Sequence, residues 1–283
     1  MITNSSIIAV CTTLFITLIL PIIAMVLYKK KSNGRSLWSA WAIGAVGFVL
    51  FQMVIRIPLL NTLSAVPGFT SFAANHYILY SFFIACSAAA FEVIGRYVAA
   101  RMMKDNIRLT PQMGIAAGLG HGGIEAMLLI GMTYISNLVY IFMINSGSFN
   151  TMIQDRLSVG ADATTLTAVK DTLISTPAII FYLAGYERIL TMIIHLSLSI
   201  LVCYSVWKGT ARQGMLISFG FHWLLDFFGP LLGSLSSPYL GSLAPQWLAY
   251  LLSYLFMTGM AVASVYATIH IYHMWNADIT NNR

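Results

Sequence analysis

Residues 7–28 read "IIAVCTTLFITLILPIIAMVLY". The stretch carries no charged side chain, and it exceeds the ~20 residues that an α-helix needs to cross a bilayer. It lacks a basic leader region and a small-residue cleavage site. It therefore reads as a retained span rather than a signal peptide. Comparable apolar runs recur along the chain. In hydrocarbon every backbone polar group must be satisfied within the protein, and runs of this length satisfy it as helices, not as the short strands of a barrel.

Composition agrees. Of 283 residues, 58% are hydrophobic and 8% are charged, against about 25% charged in ordinary soluble domains. Mean hydropathy is +0.80. The expected fold is all-α: a polytopic helix bundle in the cell membrane, one integral membrane domain over 1–283. Seven spans are expected, near 6–28, 37–60, 73–102, 112–144, 177–206, 213–234 and 246–272. The intervening segment 146–176 is polar and helix-like; it reads as a connection, or as a cap lying on the membrane surface. The three cysteines, Cys11, Cys86 and Cys203, all fall in apolar runs and offer neither a disulfide framework nor zinc-type spacing.

The net charge of +6 comes from residues that flank spans. Lys29, Lys30, Lys31, Arg35, Arg101, Lys104, Arg108, Lys208, Arg212 and Arg283 fall on one side, while Arg56, Arg156 and Lys170 lie near the other. The positive-inside rule then puts the N-terminus outside and the C-terminus in the cytoplasm. Basic residues so placed anchor spans, so membrane lipids are the expected partner and nucleic acid is not.

Nine Asp, Glu, Arg and His residues stand inside the spans and away from their ends: Glu92, Arg96, His121, Glu125, Glu187, Arg188, His195, His222 and Asp226. A charge at the bilayer centre costs roughly 2.5–3.5 kcal/mol on insertion scales, so such residues face a shared interior, pair, or both. At about 1.5 Å per helical residue, Glu92 lies about 14 Å from the Arg101 end of its span, and His121 and His222 about 15 Å from the same side. His195 lies about 20 Å in, and Glu125 and Asp226 about 21 Å. Four spans thus bring carboxylates and imidazoles toward one layer. Glu92–Arg96, His121–Glu125 and His222–Asp226 are each i, i+4 pairs that share a helix face. Glycines 118, 120, 122 and 123 strip side chains from around His121, which permits close helix approach or leaves room for a substrate backbone.

Buried, wet carboxylates and imidazoles suit hydrolysis. Glu92 can take a proton from water, and histidines can polarise a carbonyl. Alternatively His121, His195 and His222, with a glutamate, can hold zinc with a position open to water. No HExxH motif is present to favour a metal. A structural ion pair would by itself account for Glu92–Arg96, a helix–helix tie for His121–Glu125, and an outer-face pair for Glu187 and Arg188.

Four motifs, "AAFEVIGRY" (89–97), "GLGHGGIEA" (118–126), "ERILTMIIHLSLS" (187–199) and "FHWLLDF" (221–227), resemble the YhfC family of intramembrane peptidases. That family is grouped with the type II CAAX prenyl endopeptidases, the bacterial CAAX-protease and bacteriocin-processing proteins, and the PrsW proteases. The resemblance covers 73–234 and implies a catalytic core of four helices. It implies that Glu92 activates water and that Arg96 partners it. His121 would be the second-helix histidine, and His222 and Asp226 would assist at the oxyanion. His195, Glu187 and Arg188 match a signature of the YhfC-like branch. The superfamily pattern has two adjacent glutamates, and Val93 follows Glu92 here. The expected function is an intramembrane protease acting on a peptide or membrane-protein substrate, with no cofactor or with zinc. The alternatives are a non-catalytic scaffold or bacteriocin immunity protein, and a proton-coupled transporter.

Overall fold

A computed structural model describes residues 1–32 and 34–281; Arg283, counted above among the flanking charges, lies outside them. Among the described residues there is no strand, and seven helices are long and apolar enough to cross a membrane. They are Asn4–Lys31, Leu37–Ser64, Tyr77–Ile107, Pro111–Ser146, Ala178–Lys208, Ala211–Ser236 and Gln246–Asn281. All seven expected spans are present, and most run several residues past the expected ends. The extra residues are largely polar ones, such as Lys104 to Ile107 and Asn276 to Asn281, which a hydropathy window ends before.

Local chemistry sets the joins. The third span stops at Arg108, which adopts a left-handed conformation (φ 59°), and Pro111 opens the fourth. Proline suits the first turn because its missing N–H would find no helical partner there. Gly209, at φ +88°, makes the turn between the fifth and sixth spans, a conformation that costs glycine nothing sterically. Three spans contain a π-helical stretch, at Phe15–Ile19, Val49–Arg56 and Ala126–Gly131. Such insertions re-aim the side chains that follow and often mark functional sites.

The chain forms two compact units. One comprises Met1–Ile23 and Ala126–Ile189. Its core gathers Val10, Tyr134, Ile141, Leu173 and Phe181, and Thr13 Oγ1 donates to the Phe181 carbonyl at 2.6 Å. Segment 146–176 is helical here, as Ser148–Ser158 and Thr164–Ser175. Phe149, Ile153 and Ala163 form a small core of their own beneath these helices. Apolar residues on one face are what turned a polar connection into packed helices.

The other unit comprises Ala24–Glu125 and Leu190–Arg283. Met25, Leu37, Met103, Met113, Ile200 and Trp275 lie at its centre, and Ile194, Leu198, Leu225 and Met257 form a second cluster. Lipid tails are as apolar as leucine, so close packing rather than hydrophobic transfer must hold such helices together. The glycines supply it. A Cβ at Gly120 would lie 1.9 Å from the Trp41 carbonyl oxygen, and one at Gly44 would lie 2.1 Å from that of Ala117. Gly118 and Gly122 turn the opposite way, where a Cβ would meet Leu196 Cα at 2.6 Å and His195 Cβ at 2.9 Å. The glycines around His121 therefore serve close approach. They press the fourth span onto the second on one face and onto the fifth on the other.

Candidate active site

Close approach on two faces leaves His121 between Glu92 of the third span and His195 of the fifth. Its Nε2 lies 3.1 Å from Glu92 Oε2, and its ring stacks on that of His195 at 5.4 Å between centroids. The edge of Phe48 closes another side at 5.3 Å. The His195 and His222 rings meet edge to face at 5.1 Å. Glu92, Arg96, His121, His195 and His222 are all nearly inaccessible, Glu92 at 3% exposure.

Glu92 is the hub. Its Oε2 lies 3.0 Å from Arg96 Nη2, 3.1 Å from His121 Nε2, 3.4 Å from His222 Nδ1 and 3.5 Å from His195 Nδ1. Its Oε1 accepts from Gln52 Nε2 at 2.6 Å. Arg96 bridges the group. Nη2 lies 2.6 Å from His195 Nδ1, and Nη1 lies 3.4 Å from His222 Nδ1. A guanidinium only donates, so the short Arg96 contact makes His195 Nδ1 an acceptor and puts that ring's proton on Nε2. The Nε2 atoms of both rings face carboxylates: His195 toward Glu125 at 2.8 Å and His222 toward Asp226 at 3.2 Å. Asp226 is the most accessible member, with 29% of its side chain exposed.

Glu92, Arg96, His121, Glu125, His195, His222 and Asp226, all singled out from the sequence, thus come together in one unit. The pairing differs from helical spacing in one case. Glu125 faces His195 rather than His121, and His121 faces Glu92. Glu187 and Arg188 belong to the other unit, where they form an ion pair with each other. Gln52 and Arg56 escaped the sequence reading, which gave Arg56 only a place near the outer side. Both are buried, and Arg56 Nη1 donates to Gln52 Oε1 at 3.2 Å. The available signal was a glutamine and an arginine at i, i+4 inside an apolar span.

A metal is one cation this centre can hold. Glu92, His121, Glu125 and His195 each offer a ligand atom, all within 4.8 Å of one another. His222, a candidate ligand by sequence, is outside this group and pairs with Asp226. Arg96 already lies among these donors, which shows that they attract positive charge. A cavity of about 10 Å³ adjoins Arg96 and His121, also lined by Gly44, Ala99, Ala117, Ser199 and Cys203. That is about the room one water needs.

Similarity to known proteins bears on this geometry. No solved structure matches the chain. It is 35% identical over 192 residues to a Bacillus subtilis (strain 168) protein described as "Uncharacterized membrane protein YhfC", covering 68% of this chain and 71% of that one. The profile of the YhfC intramembrane metalloprotease family matches residues 16–237. The matched stretch holds every side chain of the Glu92 cluster, and at that extent this multi-pass membrane protein belongs to the YhfC intramembrane metalloprotease family.

Proposed function

We propose that the chain hydrolyses peptide bonds within or beside the membrane, at the Glu92 cluster, with a divalent ion held by Glu92, His121, Glu125 and His195. The observation that carries this reading is the approach of one carboxylate oxygen, Glu92 Oε2, to three imidazole nitrogens within 3.5 Å. When bound, an ion such as Zn²⁺ lowers the pKa of water and polarises a carbonyl.

The residues outside that ligand set divide the remaining work. His222, its Nε2 proton turned to Asp226, presents the Nδ1 lone pair to the centre. It can take a proton from water there and return it to the leaving amine. Asp226 fixes that tautomer and steadies the ring once it is charged. Arg96 pairs with Glu92 at 3.0 Å and offers N–H groups to an oxyanion.

The test is cleavage of a membrane peptide by purified protein. Chelation is expected to abolish it and added Zn²⁺ to restore it. Cleavage indifferent to chelators would replace the metal with water activated by Glu92 alone. Peptide binding without cleavage in the metal-loaded protein would favour a scaffold or immunity role.

His222→Ala is expected to lower the rate constant by about a hundredfold or more, the usual worth of a positioned acid–base group. Zn²⁺ binding should be largely retained. Loss of Zn²⁺ binding instead would move His222 into the ligand set.

Orientation follows from the flanking charges. A reporter fused after Trp275 is expected to be active only in the cytoplasm. Activity only on the far side would overturn the orientation with the N-terminus outside.

A further inference from the structure

Gln52 and Arg56 lie in the π-helical stretch of the second span, Val49–Arg56. Both are buried, at 5% and 8% exposure, while Val54 and Ile55 between them are 58% and 40% exposed. The π turn thus aims two polar side chains inward from a stretch whose intervening residues point outward.

Arg56 is tied to the third span on two atoms. Nε donates to Ser87 Oγ and Nη2 to the Ile84 carbonyl, each at 3.0 Å. Its Nη1 donates to Gln52 Oε1. Because a guanidinium cannot accept, Gln52 must turn its carbonyl oxygen to Arg56 and its amide N–H to Glu92. Gln52 Nε2 then meets Glu92 Oε1 at 2.6 Å, a short bond to a charged acceptor. The loop closes on the helix where it began, since Ile84, Ser87 and Glu92 share the third span.

The last torsion of a glutamate is soft and broad. A carboxylate held by Oε2 alone could rotate among its several partners. A donor on Oε1 fixes the plane and leaves Oε2 toward Arg96 and the three imidazoles. We infer that Gln52 is a positioning residue for Glu92, with its amide orientation set by Arg56. Its consequence for metal holding and hydrolysis rests on the reading given under Proposed function; the hold on the carboxylate does not.

Two measurements on purified full-length protein separate these. The first is the infrared carboxylate band of Glu92, identified by its loss in Glu92→Gln. Gln52→Leu is expected to shift that band. Gln52→Met, with an unbranched chain and no donor, should shift it likewise and covers the case in which the leucine variant does not fold. The second is Zn²⁺ affinity. Gln52→Leu should weaken it about ten- to a hundredfold, the usual effect of removing a group that orients a ligand. In a Glu92→Gln background the same change should have no further effect. An unshifted band in a folded variant overturns the inference. So does an equal loss of Zn²⁺ affinity in both backgrounds, which would mark Gln52 as a general helix tie. A shifted band in a protein that binds no Zn²⁺ upholds Gln52 and defeats the metal reading.

Discussion

Glu92→Gln is expected to abolish peptide cleavage while the protein stays folded. The amide is nearly isosteric with the carboxylate, so packing at this 3%-exposed position is preserved. What is lost is charge. Arg96 Nη2 and the nitrogens of His121, His195 and His222 all gather on Glu92 Oε2. An amide there can neither accept a proton nor balance Arg96. A loss of roughly 10²–10⁴-fold is the scale for removing an acid–base group, and more where the same residue also holds the ion. Zn²⁺ titration of the variant distinguishes the two roles. Weakened binding makes Glu92 a ligand. Unchanged binding with no turnover makes it the group that activates water. A variant that cleaves at the wild-type rate refutes both.

The second large effect belongs to a residue with no chemistry. Gly120→Ala is expected to destabilise the protein and to depress activity further than the loss of folded protein explains. Alanine normally favours a helix by ~1 kcal/mol over glycine. Here its Cβ would lie 1.9 Å from the Trp41 carbonyl oxygen and 2.8 Å from the carbonyl carbon. Backbone cannot step aside as a flexible side chain can, so the second and fourth spans must part. Overpacking costs about 1–3 kcal/mol, occasionally more. His121, the next residue, would move away from Glu92, and displacement by ~1 Å in a catalytic array can cost a hundredfold. Gly259→Ala is the control: nothing lies within 4 Å of a Cβ there, and a neutral or slightly stabilising change is expected. Thermal midpoints and the specific activity of the folded fraction measure both. An unaltered midpoint in Gly120→Ala would show that the helix contact is softer than its geometry.

The seven spans were legible because bilayer thickness imposes a length and the apolar runs meet it. The site was legible in part for a related reason. Ionisable groups are expensive in a membrane, so Glu92, Arg96, His121, Glu125, His195, His222 and Asp226 stood out, and counting residues from the basic ends brought the carboxylates and imidazoles toward one layer. Helical spacing also foretold two contacts, Glu92–Arg96 at 3.0 Å and His222–Asp226 at 3.2 Å. It could not foretell the rest. A shared helix face fixes which way a side chain points, not which helix stands opposite. Glu125 therefore faces His195 instead of His121, and the four ligand atoms within 4.8 Å of one another come from two histidines and two glutamates, where the sequence offered three histidines with a glutamate. Gln52 was missed, because a neutral amide in an apolar run resembles an ordinary buried polar group and its i, i+4 spacing from Arg56 is a weak signal. Only the π turn of the second span and the placement of Ile84 and Ser87 beside Arg56 aim it at Glu92. Depth and cost are properties of one helix at a time and are written in the sequence; partners, tautomers and ligand sets depend on rotation and distance between helices, which packing alone decides.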